Sequence, residues 1–290
     1  MGRRRGGGER TMKNYERGKP IAVLGMSGVG KTRIASMLRR EAGWFHYSVD
    51  YRIGTRYLDE AIEDNFKREA MKAPLLRALL LSDSIYISSN ITFDNLDPLS
   101  TYLGKPGDPA KGGIAFHEYL RRQREHREAE IRALLDTPRF VEKARTIYGY
   151  DRFICDTGGS ICEVVDPEDK ADPVLTTLSG ACLIVYFQGD AAHAEALKAR
   201  FDKTPKPMYY DEGFLKTIWA DYLKETGFAE KRIDPDDFIR WGFARLIEWR
   251  RPRYEAIAKN WGVSIPAAKI ERATTPEAFL DLVDDAVKKN

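Results

Sequence analysis

The sequence predicts an α/β fold with a doubly wound parallel sheet, on three observations. Apolar runs of strand length alternate with segments of helical periodicity, no group of strands stands alone, and the first strand runs into a glycine-rich turn that opens a helix. A ligand site is expected beyond the carboxyl ends of the strands. The 290 residues leave room for one large domain with insertions, and 43% hydrophobic and 31% charged residues are ordinary for a globular protein. No apolar stretch approaches bilayer length, and the amino terminus lacks the basic-then-apolar order of a secretory signal, so the expected location is cytoplasmic with no membrane partner.

The elements follow in order. Residues 1–19 form an Arg/Gly leader whose composition predicts disorder, and Met12 is an alternative start. A strand at 21–24 precedes an amphipathic helix at 32–40. Residues 44–49 read as a second strand ending at Asp50, and 57–81 as helix with few breakers. Between 82 and 113, Ser, Asn, Asp, Pro and Gly cluster, marking a long loop or insertion of the kind that forms lids. The glycosylation pattern Asn90-Ile91-Thr92 has no meaning in a cytoplasmic chain. Residues 114–135 read as a charged helix with Arg121, Arg122, Arg124 and Arg127 on a solvated face.

A third strand at 152–155 ends in Asp156-Thr157-Gly158-Gly159-Ser160, and the unbroken apolar run 181–187 is a fourth strand of the type buried in a parallel sheet. Helix is expected at 191–201, and Thr204-Pro-Lys-Pro breaks the chain. Asp234, Pro235, Asp236 and Asp237 then open a long helix that Pro252 should kink. A last strand at 263–270 leads to a closing helix from Thr275-Pro276-Glu277, with Phe279, Leu280, Val283 and Val287 on one face.

The chemistry is concentrated in Gly25-Met26-Ser27-Gly28-Val29-Gly30-Lys31-Thr32, the complete G-x-x-x-x-G-K-[ST] phosphate-binding pattern with its strand in front. Glycines let backbone N–H groups turn inward around phosphates, Lys31 brings a cation to the β/γ oxygens, and Thr32 offers a hydroxyl to Mg²⁺. A P-loop NTPase binding ATP and Mg²⁺ is the expectation. Asp156, closing an apolar strand, stands where such sheets place the carboxylate for Mg²⁺, with a turn-forming aspartate as the alternative. Asp50 opens on the same edge or caps the following helix.

Nucleic acid is an unlikely partner on charge. Of 47 Lys/Arg and 44 Asp/Glu, residues 1–20 hold seven and two, leaving 40 against 42 in the body. Cys155, Cys162 and Cys182 form no C-x-x-C pair and His46, His117, His126 and His193 are scattered, so neither a disulfide framework nor a zinc site is suggested.

Beyond the phosphate loop, Ser48-Val49-Asp50, Thr157-Gly158-Gly159-Ser160 and Arg250-Arg251-Pro252-Arg253-Tyr254-Glu255-Ala256-Ile257-Ala258 complete a pattern that resembles the shikimate kinase group of nucleoside monophosphate kinase-like P-loop proteins. These segments are similar to that family's Asp-x-Asp, Thr-Gly-Gly-Gly and Arg-x-Pro-Leu-Tyr-Glu-x-x-Ala, and Arg200 with Lys206-Pro207-Met208 stands where its lid carries arginines. The resemblance covers most of 20–290 as one kinase-like domain, with insertions near 82–135 and 204–236 on the acceptor and lid sides. It implies that Asp50 holds an acceptor hydroxyl and acts as base, that Gly158 and Gly159 line the acceptor pocket, that Arg250 pairs with an acceptor anion, and that Lys206 and Arg200 close over the phosphates.

Ser48 replaces the family's first Asp, Lys206 replaces an arginine, and the family's Phe-Arg pair has only Phe116-His117 in its place, so shikimate itself is not the expected acceptor. The expected activity is transfer of the γ-phosphoryl group of ATP to a hydroxyl of a small anionic acceptor. The alternative is an ATPase or ATP sensor coupled to a macromolecular partner, while a GTP switch lacks any Asn-Lys-x-Asp motif.

Overall fold

Five short strands pair into a wholly parallel sheet in the computed structural model, which describes residues 15–289. The chain runs β1 (Ile21–Leu24), α1 (Lys31–Ala42), β2 (Phe45–Ser48), α2 (Val49–Arg52), a π-helical turn (Ile53–Tyr57), α3 (Asp59–Ala70), α4 (Pro74–Leu81), α5 (Asp97–Leu103), a 3₁₀ turn (Pro109–Lys111) and α6 (Phe116–Leu135). It continues through α7 (Thr137–Thr146), β3 (Phe153–Asp156), α8 (Ile161–Val164), α9 (Pro173–Ala181), β4 (Leu183–Gln188), α10 (Ala191–Lys203) and α11 (Glu212–Thr226). A 3₁₀ turn (Glu230–Arg232), α12 (Pro235–Trp261), β5 (Gly262–Pro266), α13 (Ala267–Arg272) and α14 (Pro276–Lys288) complete it. Among the described residues no helix is long and apolar enough to cross a membrane.

The chain divides into two compact units. The first, residues 15–49, 131–205 and 240–289, holds the sheet in the order β2-β3-β1-β4-β5. Every residue of β1 and β3 is buried, as required of strands covered on both faces. The covering comes from two helix pairs, α1 with α14 and α7 with α9, each packed on the strands. Helix α1 contributes Ile34, Ala35, Met37 and Leu38, and α14 contributes Phe279, Leu280 and Val283, capped at its start by the Thr275 hydroxyl, which accepts the Ala278 N–H at 3.2 Å. Cys155, Cys162 and Cys182 are all buried free thiols. Burial pushes the Cys162 thiol up to about 12 and raises the other two as well.

The second unit, residues 50–130 and 206–239, is helical. Its polar residues are less solvated than the charge pattern of α6 suggests. Arg122, Gln123 and His126 are buried, and Arg122 donates to Tyr102 O (2.5 Å), Asn65 Oδ1 (3.0 Å) and Glu118 Oε1 (2.8 Å). Gln123 uses both ends of its amide, donating to Met208 O (3.3 Å) and accepting the Tyr210 N–H (2.9 Å). The expectation of a solvated face holds for the exposed Arg121, Arg124 and Arg127 and is corrected for Arg122, which shares a buried face with Gln123 and His126 at helical spacing. Helix α4 is the opposite case. Its sequence Pro-Leu-Leu-Arg-Ala-Leu-Leu-Leu has no buried residue, and Leu75 and Leu81 are 71% and 68% exposed.

Boundaries differ from expectation for local reasons. The helix expected over 57–81 breaks ahead of Pro74, because Ala73 before the proline takes an extended conformation (φ −91°, ψ 118°). The segment 82–113 contains α5, with Leu99, Tyr102 and Leu103 buried. The last strand stops at Pro266, which caps α13, rather than reaching residue 270. Helix α12 continues through Pro252 to Trp261, held on the first unit's side by buried Leu246, Ile247, Tyr254 and Ile257. Of the leader, residues 1–14 lie outside the described residues; Arg17 is placed, with ion pairs to Asp281 (2.8 Å) and Asp284 (2.5 Å), so the disorder expected of 1–19 does not extend to it.

Two carboxylates of the second unit give it an acid limit. Hydrogen bonds from Arg121 hold Glu118 at a pKa of about 2, and those from Arg124 and Lys216 hold Glu212 at about 2. Because both folded values lie below the ordinary 4.5, the associated stability is complete above that pH and is lost as pH falls toward 2. After solvent screening each contributes about 1 kcal/mol or less. We expect Glu118→Gln to lower the melting temperature at pH 7 by a few degrees and to flatten its decline between pH 5 and pH 2.5; an unchanged acid profile would show that the pair contributes nothing.

Candidate functional site

Three loops leave the carboxyl ends of the middle strands. Because β1 pairs in parallel with both β3 and β4, the segments after Leu24, Asp156 and Gln188 emerge along one edge of the sheet, all within the first unit.

The loop after β1 turns through Gly25 (φ 144°), Gly28 (φ 81°) and Gly30 (φ 96°), values that L side chains rarely adopt. A Cβ at position 25 would lie 2.7 Å from the Phe187 carbonyl oxygen, so glycine is what lets the ends of β1 and β4 approach. Helix α1 begins with no side-chain cap and no acid in its first turn, which leaves the positive end of its dipole directed at the loop. Lys31 is buried and folds back into the turn, its Nζ donating to Gly25 O (2.8 Å) and Met26 O (3.0 Å).

Beside it, Thr32 Oγ1 donates to Asp156 Oδ2 at 2.8 Å, while Asp156 Oδ1 accepts the Gly158 N–H at 3.2 Å. Asp156 is the last residue of β3, buried, and in register with Val23 on β1 and Ser48 on β2. The next residue fixes this arrangement: Thr157 donates to Val23 O through its N–H (3.2 Å) and its hydroxyl (3.0 Å), fastening the end of β3 to β1. A hydroxyl and a carboxylate in contact are hard oxygen donors of the kind Mg²⁺ takes, in ones and twos, alongside phosphate and water. Among the described residues no group of three or more His, Cys, Asp or Glu gathers, so a self-sufficient protein cage is not formed.

Helix α10, after β4, brings Arg200 to the same loop. A Cβ on Gly28 would lie 3.0 Å from Arg200 Nη2. The exposed guanidinium therefore lies beside the glycine-rich turn.

Other expected site residues are placed differently. Strand β2 ends at Ser48, and Asp50 lies in α2, half-buried and assigned to the second unit. Lys206, also of the second unit, is exposed and pairs with Asp97 of the 82–113 insertion at 3.1 Å, a surface contact of small energetic weight. Gly158 has the left-handed φ of 74° that requires glycine, but a Cβ on Gly159 would meet nothing within 4 Å.

Arg250 requires a correction. It is buried, and both its Nε (2.7 Å) and its Nη2 donate to Glu163 Oε1. Burial works against the guanidinium charge, but the Glu163 carboxylate together with Tyr254 and Cys162 outweighs it and holds the pKa above the ordinary arginine value. Neighbours act alike: Arg253 Nε donates to Cys162 O (2.7 Å) and Tyr254 OH to Gly159 O (2.7 Å). The segment 250–254 is a brace for residues 159–165, and an acceptor anion would have to displace a fully buried carboxylate to reach Arg250.

Two residues were missed in the sequence. Glu163 carried a signal, since a lone carboxylate inside Ile161-Cys162-Glu163-Val164-Val165 must find a buried partner. His193 carried none. Its Nε2 lies 3.2 Å from Ser27 O, across 166 positions of sequence. No protein-family model matches this chain, and no curated protein matches it. The resemblance noted above therefore rests on the residues themselves.

If Arg250 is a brace, Glu163→Gln should cost about 3–5 kcal/mol in urea denaturation, because it leaves a buried guanidinium without its counter-charge. Glu163→Leu combined with Arg250→Met should cost less than the sum of the two single changes. A folded Arg250→Met variant of unchanged stability would return Arg250 to the surface of a binding site.

Proposed function

We propose that this chain binds ATP with Mg²⁺ through residues 25–32 and transfers its γ-phosphoryl group to a hydroxyl, in the manner of the shikimate kinase-like proteins it resembles. The observation that carries this reading is the contact between the Thr32 hydroxyl and the Asp156 carboxylate beside the Lys31 ammonium, at the start of an uncapped helix. Lys31 and the loop N–H groups would hold the phosphates, and Thr32 and Asp156 would hold the metal. Bound Mg²⁺ supplies Lewis-acid neutralisation of charge on the phosphate oxygens. Arg200 would add a cation to the charge that develops on the transferred group.

The acceptor is a hydroxyl compound. Its anionic character rested on Arg250, which Glu163 occupies, so neutral polyols and nucleosides belong in the same acceptor screen as hydroxy acids. A second reading, an ATPase coupled to a macromolecular partner, is favoured by one observation: α4 has no buried residue and exposes Leu75, Leu76 and Leu81.

Lys31→Ala should reduce ATP turnover at least about 100-fold without lowering the melting temperature, since the side chain lies among loop carbonyls and outside the apolar core. Asp156→Asn should raise the Mg²⁺ concentration for half-maximal turnover about tenfold or more while leaving ADP affinity without metal unchanged. Turnover that survives in folded Lys31→Ala would remove the nucleotide reading. ADP release that responds to no small hydroxyl compound but rises with a protein partner, and loses that rise in Leu75→Asp, would move the assignment to the coupled ATPase.

A further inference from the structure

The geometry points to His193 as a positioning residue that tethers the phosphate loop from outside, an inference that rests on the nucleotide reading for its purpose but not for its structure. The Ser27 carbonyl and His193 Nε2 are 3.2 Å apart, and a carbonyl can only accept, so Nε2 carries the hydrogen. In a turn whose N–H groups point inward at an anion, the carbonyls between them point outward and need donors of their own. His193 is such a donor for Ser27, in the middle of the turn.

Three further features support the assignment. His193 is fixed at the start of α10, where its own N–H is accepted by the capping Asp190 Oδ1 at 2.8 Å, so the ring is delivered from a formed helix rather than from a loop. Room for it is made by Gly189: a Cβ there would lie 2.9 Å from His193 Cδ2. Arg200 lies seven residues on, two turns along the same helix face, and both side chains reach Gly28, whose added Cβ would be 3.0 Å from Arg200 Nη2 and 3.5 Å from His193 Cε1. The tether thus sets the register between the loop and the helix that carries Arg200. His193 orders the turn; Arg200 lies beside it.

The test uses the full chain as wild type, His193→Ala, His193→Gln and Gly189→Ala, compared first without nucleotide. Hydrogen exchange of the peptide spanning residues 25–32 should be about fivefold to tenfold faster in His193→Ala and Gly189→Ala, and His193→Gln, whose amide N–H reaches the same place, should restore most of the protection. With ATP, KM should rise by a similar factor in the two loosened variants while kcat stays within about twofold, since the tether acts on the loop and not on the reacting atoms.

Unchanged exchange in His193→Ala, or failure of His193→Gln to restore it, overturns the tether. If the exchange pattern holds but none of the four proteins binds ATP, the tether stands and the nucleotide reading fails.

Discussion

Parallel pairing of β1 with β3 on one side and β4 on the other is the constraint on which the first unit depends. Parallel strands share a polarity, so their carboxyl ends must open on one edge, and every loop that follows them is delivered to the same place. Neither the glycines of 25–30, nor Asp156, nor α10 is chemically special alone. The register Val23↔Asp156 and Leu24↔Tyr186 makes them neighbours. Thr157 then removes the remaining freedom, since two hydrogen bonds to one carbonyl leave the chain after β3 a single path. That path fixes the carboxylate against Thr32.

A second feature of the first unit is a buried charge pair that fastens separate parts of the chain together. Glu163 and Arg250 are 87 positions apart, and their pairing holds α12 against the turn that follows β3. Such a pair adds little net stability over a well-packed apolar pair, but it penalises every arrangement in which the two do not meet. Specific geometry, more than stability, is what it contributes.

The sheet and the glycine-rich turn after β1 were legible because their signals are local. A continuous apolar run such as residues 183–187 admits few alternatives to a buried strand, and the glycine spacing of 25–30 is a backbone requirement written directly in residue type. Proline rules were legible in part: Pro235 and Pro276 open helices as expected, whereas Pro252 sits inside one because the buried side chains flanking it outweigh the lost hydrogen bond. What could not be read was partner choice across long separations. Arg250 in sequence is an arginine awaiting an anion, and only the fold says that the anion is Glu163. His193 is likewise unremarkable until β4 and α10 place its ring against Ser27. The charge of α6 misled for the same reason, since an arginine such as Arg122 that turns inward to serve Tyr102 O reads in sequence like any solvated one.

The state of the three thiols has a practical consequence. Each is sealed within the first unit and resists ionisation, so none presents a thiolate to a reagent in water. The native protein is in effect cysteine-free toward maleimide chemistry. A single cysteine introduced on the solvent side of α10 or α4 would be the sole point of attachment for a fluorophore or spin label, and distance changes on adding nucleotide could be followed in the otherwise unmodified chain.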